Sequence, residues 1–479
     1  VGTSAGRDLL QHLLSMPSWR LACALAAARC ASGLRAPARR VAPRAPRRAS
    51  ASEGTILEAR EVANKKAERR RIASSPTFFR THGDFKEEQA VVQEKMLAEM
   101  KSTLLDSMRA GTFETSRGEG NAAVTFRLAQ EYGMCWGAER SIELALAATE
   151  KYPDKRKHIT NELLHNPGVN NMLADAGVEF VDKTADGGKR FDDVSPGDVV
   201  ILPAFGATLA EMQHFDDMGV TTVDTTCPWV TKVWNVVDKQ VAKGMTTVIH
   251  GKYAHEEAIA TASYCDNYIM VKNIDEAEYV CRYILNPTPE GKEALLAKFA
   301  KAMSKGFDPD VHLAKVGLAN QTTMYKKETQ AIGKLFELTM IQKYPEDASD
   351  RFVAFDTICD ATQVRQDAIQ EMIQDPKVDE LDFILVVGGF DSSNTAHLVE
   401  IPHDAGKTVF HINEGDCIRE DNSVKHRLLN GDVVIENDWL PADRPLKIGV
   451  TSGASTPDAY VQDALERLVL LKAAISSAA

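Results

Sequence analysis

The 479-residue sequence holds no apolar run long enough to span a bilayer, so a helical membrane protein is excluded and no membrane partner is expected. Its eight cysteines include no CxxC pair and no tight spacing, which argues against a zinc ribbon and against a disulfide scaffold; reduced thiols are expected. The small-residue turns at Gly388–Asn394 and Gly453–Ser455 are neither Walker nor Rossmann fingerprints. Acid is missing from Leu9 to Ser52, where Ala, Ser, Pro and Arg dominate. That segment has the composition of an organelle transit peptide, with a disordered basic tail as the plainer alternative. Residues 1–52 carry nine Arg, no Lys and one acid, a charge of +8, so the net −12 of the whole chain becomes −20 over the remainder. A body that acidic lacks the basic face that nucleic-acid phosphates demand, and small-molecule chemistry is the better expectation. Within the leader, Met16 and the apolar stretch Leu21–Ala28 allow a later start or a two-part leader.

Residues 53–120 read as a charged helical extension, with Glu58–Arg71 and Glu87–Met108 at helical spacing; it suits a surface arm or an oligomer contact, as in a homodimer. From Val124 onward short β-branched runs alternate with amphipathic helical stretches, the pattern of α/β architecture with parallel strands. One arrangement recurs three times: VTFRLAQEYGMC, GVTTVDTTC and FVAFDTIC each precede a helical stretch. Each reads strand, cysteine, helix. The carboxyl end of a parallel strand opens into the crevice where ligands bind, and the dipole of a following helix favours thiolate. Cys135, Cys227 and Cys359 are therefore expected at one site, delivered by three similar α/β domains over 121–226, 227–350 and 351–479. Residues Asn286–Asp310 read as an inserted helical excursion.

Three thiolates without an equivalent fourth suit a [4Fe–4S] cluster held at three corners, with one iron open. Core packing is the bland alternative for any one cysteine, and it is the reading adopted for Cys265, Cys281 and Cys417. His165 and His255 occupy turns, and the turns at Gly388–Asn394 and Gly453–Ser455 offer amides and hydroxyls; together they suit a diphosphate. Glu257, in HEEA, is either a proton donor or a solvated acid at a helix start. A redox-neutral cluster-dependent hydratase or dehydratase, and an iron–sulfur sensor or carrier, are the competing classes. The turn at Ser392–Asn394 speaks against the sensor.

In order, YGMCWGAERSIELA, ITNELLHNPGVN, LPAFGA, TTCPWVTKV, GKYAHEE, ANQTTM, TICDATQVRQDA, GGFDSSNTAHL and VTSGASTP resemble the 4-hydroxy-3-methylbut-2-enyl diphosphate reductases of the methylerythritol phosphate pathway. The wording is similar to the plant and cyanobacterial branch and spans Val124 to about Leu470. The resemblance implies three α/β domains in pseudo-threefold arrangement around a central [4Fe–4S] cluster held by Cys135, Cys227 and Cys359. It further implies a proton-relay acid at Glu257 with a supporting hydroxyl at Thr322, and diphosphate contacts at His165, His255, Ser392, Ser393, Asn394 and Ser455. A ferredoxin-like electron donor and a plastid stroma follow from the same likeness. One departure stands out: Phe205 occupies the place of a phosphate-binding histidine of bacterial relatives.

Overall fold

Runs such as VVIL and TTVD carry apolar or β-branched side chains at successive positions, which suits strands covered on both faces and therefore parallel sheets. A computed structural model describes residues 57–62, 64–184, 188–375 and 381–478 of the chain. One sheet orders Phe78–Phe79, Thr221–Asp224, Val199–Leu202, Lys157–Ile159 and Val178–Phe180, all parallel. A second orders Phe352–Ala354, Val316–Asn320, Thr246–His250 and Tyr268–Val271, again all parallel. The third orders Val409–Ile412, Phe383–Val387, Leu446–Ser452 and Val124–Leu128 in parallel, with Glu114–Arg117 antiparallel on its edge. A small hairpin pairs Ser423–Arg427 with Val433–Asn437. The expected α/β class with three parallel sheets is what the chain adopts, and the antiparallel edge strand is an addition to it. The excursion at 286–310 forms the helices Pro289–Lys298 and Pro309–His312.

Strand pairing cuts across the contiguous division at 121–226, 227–350 and 351–479. Val124–Leu128 belongs to the sheet of 383–452, and Phe352–Ala354 to the sheet of 246–320. Each repeated unit is a crossing point. The helix Trp136–Lys151 follows a strand of the third sheet but packs Ala138, Ile142 and Leu146 with Ile159, Val199 and Ile201 of the first. Pro228–Ala242 follows a strand of the first sheet, and its Val233 and Val237 join Val248 and Val316 of the second. Asp360–Gln374 follows a strand of the second, and Ile369 and Met372 pack with Ile384 and Val386 of the third. The three cysteines thus stand where the chain passes from one sheet to the next, which brings three distant segments to one place.

The charged extension differs from a free arm. Helices form over Lys65–Ile72, Gln89–Met100 and Thr103–Ala110, the last two separated because Ser102 caps the third by accepting from Leu105 N–H. Ile72 joins the core around Trp234 and Tyr264, while Met96 and Met100 pack with Ile142 and Leu146. Arg69 donates to Asp238 at 2.9 Å and lies over the rings of Trp234 and Tyr264. Its amphipathic stem covers apolar surface while its head is paired, so the charge did not mean a solvated face. The expected leader, residues 1–52, lies outside the described residues. A chain starting at Leu57 is expected to remain soluble and cooperative in thermal unfolding, whereas one starting at Asn121 should lose cooperative unfolding, since it strips the strand Phe78–Phe79 and the buried methionines. Equal melting of both would contradict this packing. Among the described residues no helix is long and apolar enough to cross a membrane.

Candidate active site

Cys135, Cys227 and Cys359 are the N-caps of the helices Trp136–Lys151, Pro228–Ala242 and Asp360–Gln374. Pro228 suits the first helical position because its missing N–H would have no partner there. The backbone N–H groups of the cysteines donate to Ala454, Ala204 and Thr322 carbonyls at 2.9, 3.0 and 3.0 Å, fixing each to a neighbouring turn. Arg140 and Ser141, from the Cys135 helix, donate to carbonyls of Thr225 and Thr226 just before Cys227. Gly137 is required here: a Cβ at that position would stand 2.6 Å from Cys227 Sγ and 3.9 Å from Cys135 Sγ. Ala138 N–H donates to Cys135 Sγ at 3.4 Å. Burial pushes the Cys227 thiol up to about 12 and the Cys359 thiol up to about 11, each opposed by backbone amides of its own helix start and raised further by the neighbouring thiols. The expected helix effect is present, but desolvation outweighs it.

Glu257 is buried, at 2% exposure, in the first turn of the helix Glu256–Ser263. Thr322 holds it twice, N–H to Oε1 at 2.6 Å and Oγ1 to Oε2 at 2.9 Å. Desolvation raises its carboxyl from 4.5 to about 7 against both hydrogen bonds. Because the Thr322 carbonyl also accepts from Cys359 N–H, one residue joins the acid to a cysteine. The preceding Glu256 is different: it pairs with Lys183 at 2.8 Å and Lys189 at 3.5 Å, and those cations hold its carboxyl below the usual value against burial.

His165 and His255 meet, Nε2 to Nε2, at 3.4 Å. His255 Nδ1 accepts from Glu257 N–H at 3.1 Å, so the ring proton of neutral His255 is on Nε2. Burial pushes His255 down to about 3, so the ring is a neutral donor. His165 Nδ1 is held by Glu162 at 3.0 Å. Phe205 stacks on His165 with centroids 4.4 Å apart and meets His255 edge-on at 5.6 Å. It fills the place beside both histidines without a polar group.

Against His165 lies the start of the helix Ser393–Asp404. Gly389 passes so close that a Cβ would stand 1.9 Å from the His165 carbonyl oxygen, and Ser455 Oγ donates to that oxygen at 3.4 Å. Ser392 caps the helix by accepting from Thr395 N–H. Asn394 Oδ1 accepts from Ala454 N–H at 2.8 Å, but its Nδ2 and the hydroxyls of Ser393 and Thr395 are buried without a partner. Buried polar groups are ordinarily paired, so these unpartnered donors at a helix N-terminus could hold an anion. All eleven residues singled out in the sequence fall in this region or line its edge, whereas Cys265, Cys281 and Cys417 are buried in apolar cores.

The family profile described as LytB protein matches residues 126–469. The chain belongs to the LytB family. A 4-hydroxy-3-methylbut-2-enyl diphosphate reductase of Thermosynechococcus vestitus is 47% identical over 408 residues, covering 85% of this chain and 98% of that protein. The chloroplastic reductase of Botryococcus braunii is 53% identical over 72% of this chain and 68% of its own length. The structure of the E-1-hydroxy-2-methyl-but-2-enyl-4-diphosphate reductase from Plasmodium falciparum aligns with a TM-score of 0.51 over 71% of this chain and 86% of that one, at 21% identity, and shares the fold.

Two residues missed in the sequence reading take a clear place in this packing. Gly137 lies inside WGAER, where nothing in a helical pattern signals that its missing side chain makes room for a sulfur on another helix. Thr395 lies one position past the serine and asparagine turn, and its hydroxyl faces Gly453, where a Cβ would stand 2.1 Å away. Only the close approach of this helix start to the end of the strand Leu446–Ser452 reveals it.

Proposed function

We propose that this LytB-family chain removes the allylic hydroxyl of 4-hydroxy-3-methylbut-2-enyl diphosphate with two electrons and two protons, giving isopentenyl and dimethylallyl diphosphates and water. The observation that carries the reading is the meeting of three helix-capping cysteines with a buried acid whose carboxyl lies near 7. The donor set fits a [4Fe–4S] cluster: three thiols on rigid helix starts, amides directed at the sulfurs, and space kept by Gly137. Cys135, Cys227 and Cys359 would hold it. When bound, such a cluster supplies single electrons and an open Lewis-acidic iron.

The chain's own groups do the rest. His165, His255, Ser392, Ser393, Asn394 and Ser455 bind the diphosphate, with neutral His255 donating from Nε2 and the unpartnered Asn394 Nδ2 and Ser393 hydroxyl finding phosphate oxygens. Binding there, away from the bond that breaks, orients the alcohol. Glu257 stores a proton that Thr322 Oγ1 can hand on, so that the hydroxyl leaves as water. A ferredoxin-like protein is the electron donor proposed. The acid-free leader, together with the chloroplastic relative, supports a plastid stroma. An anaerobic assay counting reductant per substrate consumed tests the reading: two equivalents are expected, and substrate dehydrated with none consumed would favour the redox-neutral dehydratase.

His255→Ala and Asn394→Ala are each expected to weaken substrate binding by about 1.5–3 kcal/mol, the range for hydrogen bonds to charged groups, with iron content unchanged. Unaltered substrate affinity in both variants would place the diphosphate elsewhere.

A further inference from the structure

Arg365 lies six residues beyond Cys359 on the helix Asp360–Gln374, and it is 5% exposed. Its guanidinium donates to backbone carbonyls alone: Nε to Gly133 at 3.0 Å, Nη2 to Gly133 at 2.8 Å and Tyr132 at 3.4 Å, and Nη1 to Ala361 at 2.7 Å. Gly133 and Tyr132 form the turn that enters Cys135, and Ala361 is in the first turn after Cys359. Asp458, the acid beside that turn, is engaged by Arg109 at 2.8 Å, and Glu131 is exposed. No ion pair to Arg365 occurs among the described residues. Burial lowers the pKa of the guanidinium, and Cys135, Glu131, Cys359 and Asp458 act against that in this order.

A buried cation without a carboxylate is costly unless something negative meets it. The carbonyl bonds engage each of its nitrogens but leave its charge without an anion. Half-buried Cys135 and buried Cys359 both become anionic when they ligate metal, and the guanidinium fork grips both of their turns. We propose that Arg365 is a positioning residue that ties the Cys135 and Cys359 turns together and supplies a fixed counter-charge favouring the entry of an electron at the three-cysteine site. The inference rests on the cluster reading given above. A core of charge +2 on three thiolates carries −1 overall, and one added electron makes it −2. No bond in the protein is made or broken. A fixed positive charge in a low-dielectric surrounding therefore favours the reduced form and raises the reduction potential.

The test compares Arg365→Gln, which removes the charge, with Arg365→Lys, which keeps it but loses the planar fork. Each full chain is reconstituted anaerobically with iron and sulfide, and the one-electron midpoint is followed by EPR during titration with dithionite, which is oxidised as the site is reduced. The Gln variant is expected to make reduction at least tenfold less favourable, a fall of 59 mV for a one-electron couple, with the Lys variant shifting by less than half as much. Equal shifts in both, or none in either, would overturn the charge role. Loss of iron from both variants would assign Arg365 to scaffolding alone and overturn it as well. A wild-type chain that binds no reducible iron–sulfur centre would instead sink the functional reading beneath it.

Discussion

Changing Cys135, Cys227 or Cys359 singly to Ser is expected to abolish turnover and to lower bound iron sharply after anaerobic reconstitution. A hydroxyl is a harder and far less acidic donor than a thiol, so it replaces thiolate poorly at iron. Because the three residues cap separate helices and each is pinned through its own N–H to another turn, the substitutions leave the backbone framework in place. The loss should therefore be of metal and not of fold, which far-ultraviolet dichroism on the same samples would show. Matched controls come from the other three cysteines. Cys265 donates to the Thr261 carbonyl at 3.6 Å and Cys417 to Asn413 Oδ1 at 2.9 Å, and Cys281 lies in the core beside Val280 and Ile284. Serine at these positions should cost stability through a buried hydroxyl while iron stays near the wild-type amount. Full iron loading in the first three variants would dismantle the three-cysteine assignment.

The repeated strand, cysteine and helix was legible because it is local: the apolar run, the helix-capping residue and the amphipathic stretch lie within about thirty residues of each other. The sheets to which these pieces belong were not. Whether Val124–Leu128 pairs with Leu446–Ser452 or with a nearer strand depends on contacts over three hundred residues away, and nothing in the alternation of its side chains encodes the partner. For the same reason the contiguous domain division missed that each cysteine stands at a passage between sheets.

Charge misled in the extension. Arg69 in KKAERRRI reads as solvated, yet its stem and head are taken up by Trp234, Tyr264 and Asp238. The diphosphate turn was legible as a turn rich in donors, but which of those donors lack partners is a property of the folded chain. Ser392 Oγ caps the helix by accepting from Thr395 N–H and keeps only its own proton to donate, while the Ser393 hydroxyl and Asn394 Nδ2 have no partner at all. His255 was legible as a candidate but its charge state was not, since its pKa is set by burial among segments far apart in sequence.

Glu257→Gln is expected to keep the fold and the metal, to bind substrate, and to turn over at least about 100-fold more slowly, the loss typical of a missing general acid. Glutamine preserves the shape and can still accept from Thr322, but it carries no proton to transfer. The pH behaviour sharpens the test. Burial raises the Glu257 carboxyl from 4.5 to about 7, so the folded chain holds the proton more tightly than the unfolded one. The stability this lends is complete below about 4.5 and is lost as pH climbs through about 7. Wild-type turnover should fall over the upper part of the same window as the acid form is depleted, and the Gln variant should lack both slopes. Glu256→Gln is the neighbouring control. Its carboxylate is partly exposed and engaged by Lys183 and Lys189, so losing that charge removes an outer ion pair and leaves turnover within a few-fold of wild type. Anaerobic turnover of Glu257→Gln with excess reductant that stayed close to wild type across pH 6–8 would take the acid out of the mechanism, and Thr322 would then be holding a carboxylate whose burial serves structure alone.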